Sequence, residues 1–154
     1  MRRETAVLLH NVRSAHNVGS IFRTCDAAGV VCIYLTGYTP TPLDRFGRTQ
    51  KEIAKTSLGA SGWLTWESVK NPASLIKRLR MDGWYIVGVE QDARSIEYRS
   101  LAPREKTLYV FGNEVRGLSP ALRDSCDTLL EIPMRGRKES LNVSVAAGVV
   151  LFSR

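Results

Sequence analysis

Two polar turns with residue types typical of ligand sites follow apolar segments in the last third of the chain. The first turn, GNEVRGLS at residues 112–119, follows the apolar segment 108–111. The second follows the apolar segment 129–132 and runs through a basic loop to SLNVS at residues 140–144. Open α/β sheets bind ligands in the crevice at the carboxyl ends of their strands. We therefore predict that two strand ends and a helix start converge on one ligand-binding crevice.

Serine, asparagine and proline residues mark the expected helix starts. Ser119 followed by Pro120 is typical of an N-cap and a first helical residue. Asn17 is expected to cap the first helix, where Gly19 would let another backbone approach the first turn. Ser140 is expected to cap the last helix. The apolar residues of that helix fall on one stripe at helical spacing: Leu141, Val145, Val149 and Phe152.

An arginine follows the expected start of the first helix, because Arg23 lies one or two turns beyond Asn17. This combination suits a phosphate, since free N–H groups and the helix dipole attract anions and a guanidinium group binds them in a fixed fork. Taken alone, the segment is more simply explained by Asn17 as a plain cap and Arg23 as a solvated helix residue.

The charge balance points to an anionic partner. The chain has 22 lysine and arginine residues against 15 acidic residues, which gives a net charge of +7 and a pI near 9.7. Such a balance favours nucleic acid, although a soluble basic surface with no such partner has the same composition. Arg45, Arg48 and Lys51 are interleaved with Phe46 and precede SLGA at residues 57–60. This pattern predicts a phosphate-facing loop followed by a short helix.

The sequence lacks the motifs of several common nucleotide-binding, catalytic and metal sites. Neither GxGxxG nor GxxxxGK[ST] is present, which argues against an ordinary dinucleotide site or P-loop. With only His10 and His16 and no GxSxG pattern, a Ser-His-Asp triad has no support. We interpret His16 as a surface or capping residue, whereas His10 could touch a substrate in the crevice. The cysteines lack CxxC spacing and an even count, which indicates reduced thiols and no metal site: Cys25, Cys32 and Cys126.

Strand and helix patterns alternate along the chain, which predicts an α/β protein with a mainly parallel sheet flanked by helices. The length of 154 residues suits a single domain over residues 1–154, with no separate N-terminal RNA-binding domain. No segment has the form of a signal peptide, and the longest apolar stretch is too short to span a bilayer. We expect a cytoplasmic protein with no membrane partner. The expected strands are residues 6–9, 30–35, 63–66, 84–90, 108–111 and 129–132, and the expected helices include residues 18–28 and 72–81.

Three ordered motifs resemble those of the SpoU or TrmH-like branch of the SPOUT RNA methyltransferases. They are NVGSIFR at residues 17–23, FGNEVRGL at 111–118, and IPM at 132–134 with SLNVS at 140–144. The resemblance covers nearly the full chain. It implies a trefoil knot in the C-terminal part, S-adenosylmethionine as the cofactor, RNA as the partner, and a homodimer. The activity it implies is methyl transfer to a ribose 2′-hydroxyl group of tRNA or rRNA.

The resemblance also implies roles for individual residues. The cofactor would be bound by Gly112, Asn113, Ile132, Met134 and Leu141. The catalytic set would be Arg23, Asn17, Glu114, Ser140 and Asn142, and RNA would be contacted by Arg45, Arg48 and Lys51. The family makes Arg23 responsible for activating the hydroxyl group. Because arginine is very hard to deprotonate, we favour Arg23 as a donor that orients this group and stabilises the developing alkoxide.

Alternative interpretations remain open at the level of function and of single residues. The chain is alternatively a non-catalytic RNA-binding module that keeps the fold, or a knotted enzyme that methylates a base. Asn17 and Ser140 are alternatively plain caps, and Glu114 a residue that holds its own turn. One departure from the family pattern is Val115, where many relatives have glycine. A β-branched residue would resist a positive φ at this position.

Overall fold

A seven-stranded sheet with helices on both faces organises residues 2–153, the part of the chain described by this computed structural model. The helices are α1 (Ala15–Ala27), α2 (Lys51–Ser57), α3 (Pro72–Met81), α4 (Pro120–Ser125) and α5 (Val143–Leu151). The strands are β1 (Glu4–His10), β2 (Cys32–Thr36), β3 (Trp66–Ser68), β4 (Tyr85–Val89), β5 (Ile96–Glu97), β6 (Lys106–Phe111) and β7 (Thr128–Glu131). No helix in residues 2–153 is long and apolar enough to cross a bilayer.

The strands lie in the order β3-β2-β1-β6-β4-β7-β5, and every pair is parallel. In the central pairs, Ala6 is opposite Cys32 of β2 on one side and Leu108 of β6 on the other. Because all strands run the same way, their carboxyl ends share one edge of the sheet. The two polar turns of the sequence follow β6 and β7 at that edge.

The central strand β1 shows why the sequence has continuous apolar runs. Val7 and Leu9 belong to the cluster that packs under α1, α2 and α5, while Ala6 and Leu8 belong to the cluster under α3 and α4. All four side chains are fully buried. A parallel sheet covered on both faces needs apolar residues at successive positions rather than alternate ones. The predicted α/β class with a mainly parallel sheet is confirmed.

Two predicted helix caps are wrong by two or three residues. Helix α1 is capped by Ser14, whose Oγ accepts a 3.1 Å hydrogen bond from the backbone N of Asn17, so Asn17 lies inside the helix. Helix α5 is capped by Asn142, whose Oδ1 accepts from Ser144 N at 2.8 Å, and Ser140 precedes the cap. Serine and asparagine cap about equally well, so residue type alone does not select between neighbours. Ser119 does cap α4, as predicted.

One strand begins later than expected, and two features of the structure were not addressed by the sequence analysis. The predicted strand at residues 63–66 begins only at Trp66, because a 3-10 turn occupies residues 60–62 and Trp63 follows it. The two-residue strand β5 was not predicted. The apolar stripe of α5 faces away from the core, with Val145 50% and Phe152 61% exposed. The helix is apolar on several faces, and it buries Ala147, Val150 and Leu151 instead.

The expected close approach of a backbone to Gly19 is present. A Cβ atom built on Gly19 would lie 1.8 Å from Thr56 Oγ1 and 2.7 Å from the carbonyl oxygen of Ile53. The hydroxyl group of Thr56 lies within hydrogen-bond distance of two carbonyl oxygens, His16 O in the first turn of α1 at 3.1 Å and Glu52 O in α2 at 2.9 Å. Helices α1 and α2 therefore cross at a point where only a glycine fits.

We expect Gly19→Ala to destabilise the protein by about 1–3 kcal/mol, because the added methyl group must push two packed helices apart. Urea unfolding followed by circular dichroism measures the difference. Gly62→Ala is the matched control, since a Cβ atom there meets nothing within 4 Å. Equal midpoints for Gly19→Ala and the control would contradict this account of the helix crossing.

Candidate cofactor and RNA site

A cavity of about 350 Å³ opens at the carboxyl ends of β4, β6 and β7, beside the start of α5. Its walls combine the turn after β6 with the segment between β7 and α5, so the predicted single crevice is present. The five residues that the sequence predicts for the cofactor all line it: Gly112, Asn113, Ile132, Met134 and Leu141. Their binding role stays a prediction.

The turn after β6 depends on two glycines that touch each other. A Cβ atom on Gly112 would lie 2.5 Å from the carbonyl carbon of Gly117. Gly117 has a φ of +65°, and a Cβ atom on it would lie 2.0 Å from Glu90 Oε2. Val115 is 92% exposed and is not among the residues with positive φ. The conflict expected at Val115 does not arise, because Gly117 takes the left-handed conformation instead.

Asn113 uses its whole side-chain amide to hold this turn. Its Oδ1 accepts hydrogen bonds of 2.9 Å from the backbone N atoms of Val115 and Arg116. Its Nδ2 donates at 3.0 Å both to Asn11 O and to the hydroxyl group of Tyr38. An asparagine amide has two donors and an acceptor oxygen with two lone pairs, so the side chain is satisfied within the protein. Asn113 therefore shapes the cavity wall, and its backbone oxygen also closes the turn by accepting from Gly117 N at 2.9 Å.

Glu114 joins the turn to the start of α1, about a hundred residues earlier. Its Oε1 accepts from Arg13 N at 2.8 Å, and its Oε2 accepts from Ser14 N at 3.3 Å. These are backbone donors at a helix N-terminus, where a negative charge is also favourable. Glu114 therefore ties the turn after β6 to the start of α1, and it also lines the cavity.

The remaining predicted catalytic residues are only partly brought together. Asn142 Nδ2 donates to Asn17 Oδ1 at 3.2 Å, which links the starts of α5 and α1. Ser140 lines the cavity. Arg23 is exposed on α1 and does not line the cavity, and within residues 2–153 its side chain forms no ion pair.

The loop after β4 is a part of the site that sequence reasoning missed. Glu90 Oε2 accepts from Leu118 N at 2.7 Å, and Gln91 Nε2 donates to Glu139 O at 2.5 Å. The loop therefore contacts both polar turns at once. The end of a third parallel strand was the signal available in the sequence, since all carboxyl ends share one edge.

Ion pairs fix the far end of the same loop to α4. Arg94 donates to Asp92 at 3.0 Å and to Asp124 at 2.8 Å, and Arg123 donates to Asp92 at 3.4 Å. The side-chain hydrogen bond from Arg94 is the main cause that holds the pKa of Asp92 well below its ordinary range. Asp92 therefore keeps its charge, and these contacts, at pH values where an ordinary aspartate would be protonated.

The cavity is acidic, although the protein is basic. Four carboxylates line it: Glu90, Glu114, Glu131 and Glu139. Among residues 2–153, no lysine or arginine is part of its lining. Carboxylates grouped around a cavity favour a cationic ligand and oppose a phosphate. The cavity and the basic outer surface are therefore suited to different partners.

His10 ends β1 beside the site but is engaged within the protein. Its Nδ1 lies 2.8 Å from Thr36 Oγ1, the last residue of β2. Burial lowers the pKa of His10 below its ordinary value. The imidazole is therefore neutral at physiological pH. It joins two strand ends, and a contact with substrate stays a prediction.

The predicted RNA-binding cations lie on a small hairpin that leads into α2. Asp44 Oδ1 accepts from the backbone N atoms of Phe46 and Arg48, and its Oδ2 accepts from Arg48 Nε at 2.8 Å. The guanidinium groups of Arg45 and Arg48 lie 4.8 and 4.9 Å from the centroid of the Phe46 ring. Lys51 is the first residue of α2 and is exposed. Arg45 and Arg48 thus form an exposed cationic surface around an aromatic ring, and Lys51 follows at the start of α2.

Residues 2–153 contain no group of three His, Cys, Asp or Glu side chains arranged to hold a metal ion. The three cysteines are not joined in disulfides: Cys25, Cys32 and Cys126.

The model of the SpoU rRNA Methylase family matches residues 4–152. The chain belongs to this family. SpoU proteins with curated descriptions are similar over nearly the whole chain. The tRNA (guanosine(18)-2′-O)-methyltransferase of Aquifex aeolicus is 32% identical, over 98% of this chain and 68% of the relative. The 23S rRNA (guanosine-2′-O-)-methyltransferase of Xylella fastidiosa is 38% identical, over 95% of this chain and 56% of the relative.

Solved SpoU structures have the same fold. The AdoMet-bound rRNA methyltransferase from Sinorhizobium meliloti superposes with a TM-score of 0.89 at 32% identity, over 99% of this chain and 56% of that one. The A. aeolicus TrmH/SpoU tRNA modifying enzyme gives a TM-score of 0.85 at 31% identity, over 99% of this chain and 74% of that one. The chain therefore spans between about half and three quarters of the length of these relatives.

Proposed function

We propose that this chain is an S-adenosylmethionine-dependent methyltransferase that modifies a ribose 2′-hydroxyl group of tRNA or rRNA. The observation that carries the proposal is the cavity at the ends of β4, β6 and β7, lined by all five residues that the family resemblance assigns to the cofactor. The names of both curated relatives give a guanosine 2′-hydroxyl as acceptor, one in tRNA and one in 23S rRNA.

The residues present fit S-adenosylmethionine. The cavity volume of about 350 Å³ lies within the usual range of small-molecule sites. Ile132, Leu141 and Val143 supply apolar walls for an adenine ring, and the carboxylates supply negative charge for a sulfonium and an ammonium group. Gly112, Ile132 and Leu141 would hold the cofactor through backbone groups and apolar contacts. When bound, the cofactor supplies an electrophilic methyl group.

The polar residues of the chain would then hold and activate the acceptor. Arg23 is exposed on α1, which packs against α5, the helix whose first turn lines the cavity. Its guanidinium group would orient the 2′-hydroxyl and stabilise the negative charge that develops on oxygen, helped by an RNA phosphate. Ser140 would contact the acceptor ribose from the cavity wall. Asn17, Asn142 and Glu114 would position these groups through the hydrogen bonds that join α1, α5 and the turn.

The activity is tested with purified protein in two steps. Calorimetry measures S-adenosylmethionine binding, and radiolabelled cofactor measures methyl transfer to bulk tRNA and rRNA. Nuclease digestion and mass spectrometry then identify the product, which is expected to be a 2′-O-methyl nucleoside. Absence of both binding and transfer overturns the proposal. A methylated base identifies a base methyltransferase, and RNA binding that ignores the cofactor and yields no product identifies a non-catalytic module.

Three further features follow from the family resemblance and form part of the proposal. One is a trefoil knot, supported by the contacts of the loop after β4 with the turn after β6 and with the segment that returns to α5. A second is a homodimer, supported by the exposed apolar stripe that includes Val145 and Phe152. The third is a cytoplasmic location, supported by the tRNA and rRNA substrates of the relatives.

Arg23→Ala is expected to lower kcat by roughly 100- to 1,000-fold and to change the S-adenosylmethionine Kd by less than about twofold, because the missing donor acts on the acceptor. Arg23→Lys should recover little activity, since an ammonium group lacks the fixed fork of a guanidinium. Arg104→Ala, at the amino ends of the strands, is the matched control. Unchanged turnover in Arg23→Ala would remove Arg23 from the mechanism.

The double variant Arg45→Glu/Lys51→Glu should weaken RNA binding and flatten its salt dependence. For single-stranded RNA, the slope of log K against log salt should fall by about 0.7 for each phosphate that the protein no longer neutralises. Arg48→Glu should have a smaller effect, because Arg48 is already paired with Asp44. The control is the equal charge change at Lys70 and Lys77, near and on α3. An unaltered slope would show that the hairpin is an ordinary solvated surface.

Val145→Asp is expected to convert the dimer to a monomer, because it places a charge in an apolar interface. Sedimentation velocity measures the assembly state. Met81→Asp is the control, since Met81 is 81% exposed at the end of α3. A wild-type protein that sediments as a monomer, or a Val145→Asp variant that remains a dimer, contradicts the proposed interface.

A further inference from the structure

Tyr38 is an exposed aromatic residue at the rim of the cavity. It follows β2 and is 58% exposed. Its hydroxyl group accepts the 3.0 Å hydrogen bond from Asn113 Nδ2, and Asn113 lines the cavity. The polar end of the side chain is therefore anchored to the cavity wall while much of the ring stays open to solvent.

The backbone around Tyr38 adopts uncommon conformations that fix its position. Asn11 has a φ of +58° and Gly37 a φ of +65°. Asn11 Oδ1 accepts from Tyr38 N at 3.1 Å, and a Cβ atom on Gly37 would lie 1.9 Å from that oxygen. Left-handed residues persist where the surrounding structure requires them, and they concentrate at functional sites. Here they hold an aromatic ring outside the core, where it gains little from burial.

The surroundings of the ring suit a nucleotide. Arg13 and Arg116 are exposed, and their backbone N atoms donate to Glu114 and Asn113 respectively. Two arginines thus belong to segments that are hydrogen-bonded to the same turn as Tyr38. Proteins bind unpaired nucleobases by stacking on exposed aromatic rings, and they bind the phosphates through cationic residues on the same surface.

We propose that the Tyr38 ring is the stacking platform for an unpaired nucleobase of the RNA substrate, next to the acceptor ribose. The proposal rests on the proposed function and assigns the residue that decides which nucleotide presents its 2′-hydroxyl group to the cavity. Stacking accepts any base, because every base has a π face. Tyr38 therefore selects an unpaired nucleotide at this position rather than a particular base.

A purely structural role for Tyr38 makes the opposite prediction. If the residue only positions Asn113, removal of the hydroxyl group should disturb the cavity and raise the S-adenosylmethionine Kd. If the ring stacks on RNA, Tyr38→Phe should retain function and Tyr38→Leu should lose it, since leucine keeps apolar bulk without an aromatic face. Tyr85→Phe is the matched control, because the hydroxyl group of Tyr85 binds Thr128 Oγ1 at the opposite ends of the strands.

Steady-state kinetics with bulk tRNA and rRNA test this inference. Tyr38→Leu should raise the KM for RNA roughly tenfold, while Tyr38→Phe and Tyr85→Phe stay within about twofold of wild type. The S-adenosylmethionine Kd should be unchanged in all three variants. An unchanged KM in Tyr38→Leu, or an equal loss in Tyr38→Phe, overturns the inference.

Photocrosslinking provides a second readout that needs neither a variant nor activity. Wild-type protein is irradiated with thiouridine-substituted tRNA and rRNA, and crosslinked peptides are mapped by mass spectrometry. A crosslink at Tyr38 supports the inference, whereas crosslinks confined to other surfaces overturn it. Failure of the proposed function gives a different pattern, namely no cofactor binding and no methyl transfer, whatever the crosslinks show.

Discussion

The contact between the backbones of Gly112 and Gly117 is the constraint on which the whole site depends. A side chain on Gly112 would overlap the carbonyl group of Gly117, so the turn after β6 closes only with glycine there. The closed turn points Asn113 toward the ends of β1 and β2, and Glu114 toward the start of α1. Glu90 completes it from the loop after β4. One tight turn thus holds four separate segments of the chain in place.

Charge separates the two partners that the protein is proposed to bind. The excess of lysine and arginine lies outside the cavity, whereas four glutamates line it. Two of these carboxylates also stabilise the structure, since Glu114 and Glu90 accept backbone hydrogen bonds. The carboxylates that hold the cavity walls in place therefore also set the electrostatic potential inside the cavity. Under the proposed function, a phosphate backbone would be drawn to the outer surface, and a cationic cofactor to the interior of the cavity.

Sequence patterns predicted the fold where one physical requirement decides the residue type. Continuous apolar runs marked the parallel strands because both faces of the sheet are covered, and helix α3 matched its prediction of residues 72–81. The patterns were insufficient where neighbours are chemically equivalent, as for Ser14 against Asn17 and Ser140 against Asn142.

The same limit applies to the site. The five predicted cofactor residues share one cavity because their segments follow β6 and β7, two parallel strands on either side of β4, and lead into α5. Tyr38 and Glu90 were missed, because their importance comes from hydrogen bonds to residues far along the chain. No local pattern encodes such pairs. The buried face of α5 was not predicted, because the helix is apolar on several faces and its sequence pattern does not show which face packs against the sheet.

The tight crossing at Gly19 has a mechanical consequence. The cationic hairpin leads directly into α2, and α2 is fixed against the first turn of α1, the helix that carries Arg23. The hairpin and Arg23 are therefore connected through the close packing of α1 and α2. Under the proposed function, this packing would set the span between a phosphate bound at the hairpin and the acceptor ribose. RNA molecules would then be distinguished by the path of their backbone.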